Sequence, residues 1–213
     1  MTTRTAVQKQ TQAKKNEQIL NPGNVNYWNG RYLGLSFAER IEQFYKDFGN
    51  KKILMTSSFG TSSALLLYWI GQLRSTQVVH FIDTTYHFPE TLEYKDQLSH
   101  QYGLSVVNIK PDNWQNKLSR KENLFSTDTE RCCAINKINP LGPYKWSNDF
   151  WITGRMGFQT KDRAAADIFE LKADIIKFNP LIDMTEAEFL YYFGYYRLSP
   201  HPLKSLGYGS VGC

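Results

Sequence analysis

Cys132 and Cys133 stand side by side in STDTERCCAINKINPL (126–141), and the third cysteine, Cys213, is the last residue given. An odd number of thiols does not make a disulfide framework. Adjacent cysteines also suit zinc poorly, because its sites usually place two or more residues between ligands. Two readings are left. One is a buried pair of free thiols; the other is ligation of an iron–sulfur cluster, which needs four thiolates, commonly drawn from more than one segment. Lys137, five positions after Cys132, could set positive charge beside either a cluster or an anionic substrate.

Three further stretches carry side chains suited to anions. TSSFGTSS (56–63) offers hydroxyls, one glycine and the start of a helix, where free N–H groups and the helix dipole favour phosphate or sulfate. It matches neither the dinucleotide fingerprint nor a Walker A loop. DTTYHFPET (83–91) begins with Asp83, which could accept hydrogen bonds from a ribose or adenine, among aromatics that could flank a base. TGRMGFQTKDRAAA (153–166) gathers Arg155, Lys161 and Arg163 behind Gly154, and guanidinium groups grip phosphate and sulfate through forked hydrogen bonds. Taken singly, each is also an ordinary strand-to-helix turn, a capped turn or an exposed basic loop.

The elements between these stretches decide whether they can meet. LSFAERIEQFYKDF (35–48) opens with Ser36 and Glu39 at capping-box spacing, and Phe37, Ile41, Phe44 and Phe48 recur on one helical face. A buried strand follows at Ile53–Met55, then a helix in SSALLLYWIGQL and a second strand, VVHFID, ending at Asp83. Pro89 suits the first turn of the next helix and Gly103 its end. LSVVNIK and FWITG read as third and fourth strands, and Thr185 with Glu188 caps a late helix. This alternation predicts an α/β fold, a mostly parallel sheet with helices on both faces. The three anion-friendly stretches then fall at strand carboxyl ends, where open parallel sheets bind ligands.

With 41% hydrophobic and 15% aromatic residues, the 213-residue chain is globular rather than disordered. Residues 1–30 form the exception, a polar N-terminal arm ending in a turn at NPGN, so the domain is expected over 31–213. The net charge of +5 is compatible with an anionic partner, nucleic acid or a small phosphate ester, or with an ordinary solubilising surface. No apolar run reaches the roughly 18–20 residues that cross a bilayer, and the N-terminus lacks a secretory core. A reducing, cytoplasmic setting fits best.

In this order, the segments resemble the assimilatory sulfonucleotide reductases, which reduce adenylyl sulfate (APS) or its 3′-phosphorylated form (PAPS). SSFG is similar to the family's phosphate-type loop, FIDTTYHFPETLEY to its Asp-Thr-x-x-x-Phe-Pro-Glu-Thr strand and helix, and TGR…Q…RA to its arginine loop. NPLIDMTEAEF and HPLKSLGYGSVGC resemble its closing segments, so the likeness runs from about residue 35 to 213. The resemblance implies an adenine nucleotide α-hydrolase-like fold, with Ser57, Ser58, Phe59, Gly60, Thr61, Asp83, Thr84, Gly154, Arg155, Gln159 and Arg163 around the substrate.

The CC pair resembles the APS-using branch, which implies a [4Fe–4S] cluster held by Cys132, Cys133 and Cys213, with Lys137 between cluster and substrate. The fourth ligand would fall at position 216, and the nucleophilic cysteine in a tail beyond residue 213. The chain departs from the pattern at Asn136, where a basic residue often precedes the lysine, and at RMGF, which thins the arginine loop. The implied activity is thioredoxin-dependent reduction of APS to sulfite and AMP in sulfate assimilation and cysteine biosynthesis. The alternatives are PAPS reduction, giving sulfite and adenosine 3′,5′-bisphosphate, adenylyl transfer, and a non-catalytic nucleotide-binding module. Thioredoxin or a similar dithiol is the implied partner, without nucleic acid or membrane, and a homo-oligomer stays open.

Overall fold

The computed structural model describes residues 21, 24–172 and 175–211. Most of the expected N-terminal arm and Cys213 lie outside them. The arm gives way to helix before residue 30. Helix α1 (Val25–Leu33) forms because its aromatics have places to go: Trp28 packs on Phe48, and Tyr32 meets Phe169 edge to face, each pair with ring centroids 4.9 Å apart. Ring burial outweighs the polar character of the segment.

Helix α2 (Phe37–Phe48) starts with both bonds of the expected capping box, and buries Ile41, Phe44 and Phe48. Strand β1 (Ile53–Thr56), helix α3 (Ala64–Leu73), strand β2 (Val79–Ile82), helix α4 (Pro89–Tyr102) and strand β3 (Val106–Ile109) follow as two successive crossover units. Pro89 occupies the first turn of α4, and Gly103 ends it at φ +62°, a conformation glycine takes without a Cβ penalty.

Four helices fill the return path: α5 (Asn113–Lys121), α6 (Leu124–Thr127), α7 (Thr129–Cys133) and, after a π turn at Ala134–Ile138, α8 (Asn139–Ser147). Strand β4 (Phe150–Ile152) leads to short helix α9 (Lys161–Ala164) and to two strands the sequence pattern did not announce, β5 (Phe169–Leu171) and β6 (Ile176–Phe178). Helix α10 (Glu186–Tyr195) opens with the Thr185–Glu188 capping box.

The sheet order is β3-β2-β1-β4-β6-β5, parallel throughout except for the β5/β6 pair. Side chains alternate across it. Met55, Phe81, Phe150, Ile152, Phe169 and Phe178 join α2, α3 and α4 in the main core, while Leu54 and Trp151 face a small second core with Leu141 and Tyr144 of α8. Helices therefore cover both faces, but unequally. The chain runs from β1 outward to β3 and then returns to β4 on the other side of β1, so the β1/β4 boundary is the switch point where a crevice opens.

His201 ties the end of the chain to this framework. It is buried, its Nδ1 accepts from the Leu203 N–H at 3.2 Å, and its Nε2 lies 3.2 Å from Thr91 Oγ1 on α4. Burial holds its pKa below the ordinary 6.5, against a small opposing pull from Glu90. His80, which burial also lowers, adds to the effect against the bond to the Met55 carbonyl. The unfolded chain then binds more protons at acid pH, so this stability is fully present above about pH 6.5 and is lost as pH falls through the folded pKa. Melting temperature should drop between pH 7 and pH 5, and H201Q should flatten that slope.

Candidate active site

The serine loop leaves β1 at the switch point. Ser57 bridges to β2 by donating its N–H to the His80 carbonyl (3.0 Å), and its Oγ accepts from the Phe59 N–H (3.1 Å). Phe59 is fully buried and sits at φ +49°, a strained value for a side chain with a Cβ, held by its ring packing on Phe81. The buried ring thus anchors the turn while exposed Ser58 faces solvent. A Cβ at Gly60 would come within 3.3 Å of Ser58 Oγ and of the Val211 carbonyl, because the chain's closing segment lies directly against this loop. Thr61 Oγ1 donates to the Gly209 carbonyl at 2.8 Å. Thr61 is therefore occupied with holding that segment.

The arginine loop leaves β4 beside it. Gln159 Nε2 donates to Ser62 Oγ at 2.8 Å, joining the two loops across the crevice, and Arg163 donates to Gln159 Oε1. Arg155 pairs with Glu170 at 2.9 Å. Arg163 is held below the ordinary guanidinium range by burial and by the charge of Arg155. Two half-buried guanidinium groups thus raise the positive potential here, and only one of them is tied to a carboxylate in these contacts. Burial opposes ionisation of Glu170, but hydrogen bonds from Lys172 and Asn179 and the charges of Lys172 and Lys177 outweigh it.

Gly154 is exposed, and a Cβ there would meet only Leu66 at an ordinary 3.5 Å. The glycine with a tight packing demand is Gly157, where a Cβ would lie 2.7 Å from the Ile182 carbonyl. Met156, beside it, is wholly buried. The RMGF departure in the arginine loop therefore gives a core anchor in place of further charge.

The third loop follows β2. Asp83 Oδ1 accepts from the Thr85 N–H at 3.0 Å, and Oδ2 lies 3.6 Å from Lys110 Nζ. Thr84 is buried, and its carbonyl accepts from Asn116. Helix α5 therefore holds this loop from behind, a role that the sequence pattern did not assign. The only local signal was the cap that starts α5, Asp112 accepting from the Gln115 N–H.

Cys132 is buried and Cys133 partly so, and both are free thiols. Cys132 Sγ receives Ser119 Oγ at 3.8 Å and Asn136 Nδ2 at 3.5 Å. The π turn puts Asn136 into the interior and leaves Lys137 exposed. Among the described residues no group of three or more His, Cys, Asp or Glu side chains is placed to hold a metal, and Cys213 is not one of those residues. The geometry brings together the serine and arginine loops directly, and links Cys132 to the Asp83 loop through α5.

The phosphoadenosine phosphosulfate reductase domain matches residues 52–213. An adenosine 5′-phosphosulfate reductase of Mesorhizobium japonicum is 37% identical over 186 residues, covering 85% of this chain and 72% of that protein. A phosphoadenosine 5′-phosphosulfate reductase of Vibrio atlanticus is 32% identical over 206 residues, covering 93% and 78%. The crystal structure of phosphoadenylyl-sulfate reductase from Candida auris, a phosphate complex, superposes with a TM-score of 0.76 at 22% identity, covering 91% of this chain and 95% of that one. The fold is the adenine nucleotide α-hydrolase-like fold that the sequence resemblance implied. With the domain matched over three quarters of the chain and the loops gathered at one crevice, the chain belongs to the phosphoadenosine phosphosulfate reductase family.

Proposed function

We propose that this domain binds an adenylyl sulfonucleotide across the β1/β4 crevice and reduces it to sulfite, with APS as the preferred substrate. The observation that carries the reading is the union of serine and arginine loops through Ser62 and Gln159, beside Arg163. The exposed Ser58 hydroxyl and the N–H groups that the turn leaves over serve the phosphate, the two guanidinium groups supply the counter-charge, and Asp83 serves the nucleoside. Lys137 stabilises the negative charge of the sulfonate. The preference for APS rests on the adjacent cysteines and on the similarity to the Mesorhizobium reductase.

A cysteine thiolate attacks the sulfonate sulfur, and the bond from sulfur to the phosphate oxygen breaks with AMP as leaving group. This leaves a cysteine S-sulfonate. A dithiol of the thioredoxin class then attacks the cysteine sulfur, expels sulfite with its electron pair, and closes to a disulfide with its second thiol. The dithiol supplies both electrons. Neither Cys132 nor Cys133 is the nucleophile, since their place beside α5 suits another task.

That task is cluster ligation. The donor set fits: two adjacent thiols end α7, and one sulfur already takes two hydrogen-bond donors, as metal-bound thiolates do. Cys132, Cys133 and Cys213 would hold the [4Fe–4S] group, which when bound would supply fixed charge and a tie between distant segments.

No described helix is long and apolar enough to cross a membrane. The test is product analysis on the full protein with thioredoxin, offering APS and PAPS in parallel. Faster release of sulfite and AMP from APS is expected. Faster release of adenosine 3′,5′-bisphosphate from PAPS would reverse the substrate assignment.

A further inference from the structure

A buried chain of neutral hydrogen bonds runs from the Asp83 loop to the Cys132 sulfur. Asn116 Nδ2 donates to the Thr84 carbonyl (3.3 Å) and to Asn136 Oδ1 (2.8 Å), while its Oδ1 lies 3.2 Å from Thr85 Oγ1. Asn136 Nδ2 in turn donates to Ser119 Oγ (3.0 Å), to the Cys132 carbonyl (3.0 Å) and to Cys132 Sγ (3.5 Å). Ser119 Oγ also meets Tyr86 Oη at 3.2 Å. Asn116, Ser119, Asn136 and Cys132 are all at least nine-tenths buried. Such groups must be satisfied together, because an amide left unpaired in the interior costs its full desolvation.

The two asparagines carry the route from the loop backbone to the cysteine helix, one at each end, whereas Ser119, 3.8 Å from Cys132 Sγ, meets the loop only at the tip of the Tyr86 side chain. Arg120 adds a second clasp on the loop, donating to Thr85 and lying 4.7 Å over the Tyr86 ring, but it makes no bond to Cys132. A shift of the Asp83–Tyr86 backbone therefore has to move Asn116, break its bond, or carry Asn136 along.

We infer that Asn136, acting through Asn116, is a positioning residue that transmits occupancy of the nucleotide loop to the segment carrying Cys132. Neutral amides pass on geometry without adding charge beside the sulfur. The coupling is reciprocal, so ordering at the cysteine segment stiffens the nucleotide loop in return. The inference rests on the nucleotide reading given above.

Amide hydrogen exchange with and without AMP tests it on the full protein. In the wild type, AMP is expected to slow exchange both at residues 83–86 and at 131–138, the latter by about threefold to tenfold, the range set by one or two neutral hydrogen bonds. In N136L and N116L, which keep side-chain shape, the slowing should remain at 83–86 and vanish at 131–138. The double variant should behave like either single one, since both cut the same link. N116A, which removes the polar atoms without adding charge, gives the same readout if a leucine variant does not fold. Slowing at 131–138 that persists in these variants, or that is missing in the wild type while 83–86 responds, overturns the inference. A wild type unresponsive at 83–86 overturns the nucleotide reading itself, and the coupling with it.

Discussion

Replacing Arg40 by methionine is expected to cost about 3–5 kcal/mol of folding stability, the scale for leaving several carbonyls and a carboxylate without a buried charged donor. The side chain leaves α2 almost wholly buried and uses its whole guanidinium fork. Nε donates to the Tyr32 carbonyl at 2.9 Å, Nη2 to the Leu33 carbonyl at 3.2 Å, and Nη1 to the Pro180 carbonyl at 3.1 Å. Both terminal nitrogens also bind Asp183, with Nη2 to Oδ2 at 2.7 Å. One residue thus fastens the end of α1 and the turn after β6 to α2. Methionine fills much of the space, so the loss reports the three carbonyls and the carboxylate left without their donor. D183N should cost about 1–3 kcal/mol, because it leaves the buried Arg40 charge without its counter-charge while its amide oxygen, on a partly exposed side chain, can still accept. Urea unfolding of the two variants measures the difference, and a loss under 1 kcal/mol in R40M would show that the fork is dispensable.

Arg40 also marks where sequence reading stopped. Its place in the polar half of an amphipathic helix gives no hint that Tyr32, Leu33, Pro180 and Asp183 converge on it, since two of those contacts span 140 residues or more. Features fixed within a few residues were legible: both capping boxes, Pro89 opening α4 and Gly103 closing it. The first four strands were legible as well, three of them marked by a loop of distinct chemistry at the carboxyl end and the third by its apolar run between Gly103 and Pro111. Strands β5 and β6 escaped notice since three residues each, Phe-Glu-Leu and Ile-Lys-Phe, are too short for alternation to stand out.

At the site the same division holds. The serine, aspartate and arginine loops could be placed at one sheet edge from their order alone. The bond from Gln159 to Ser62 and the anchoring of Arg155 by Glu170 could not, because each depends on which way a side chain turns after folding. Asn136 is the sharpest case. In sequence it is a lost positive charge; in the fold it is a buried amide that a charged side chain could not replace without a new partner.

Substituting Lys137 with alanine is expected to lower turnover of APS by about a hundredfold or more, the scale for removing one preorganised charge from the reacting group. Stability should change by less than about 0.5 kcal/mol, as for other exposed positions. The separation follows from the π turn. Five residues, Ala134–Ile138, form the wider turn, and within it Asn136 is 2% exposed while its neighbour Lys137 lies at the surface. Interior and exterior tasks are thereby divided between adjacent residues, and π turns recur at functional sites for this kind of reason. Steady-state kinetics of K137A with APS should show the loss chiefly in kcat, since negative charge builds on the phosphate oxygen next to the sulfonate as the S–O bond breaks and AMP departs. K137R keeps the charge but presents a planar fork, and should recover part of the rate. A K137A enzyme with unchanged kcat and a raised KM would mean that the lysine only attracts the nucleotide, and the charge on the departing group would then fall to Arg163.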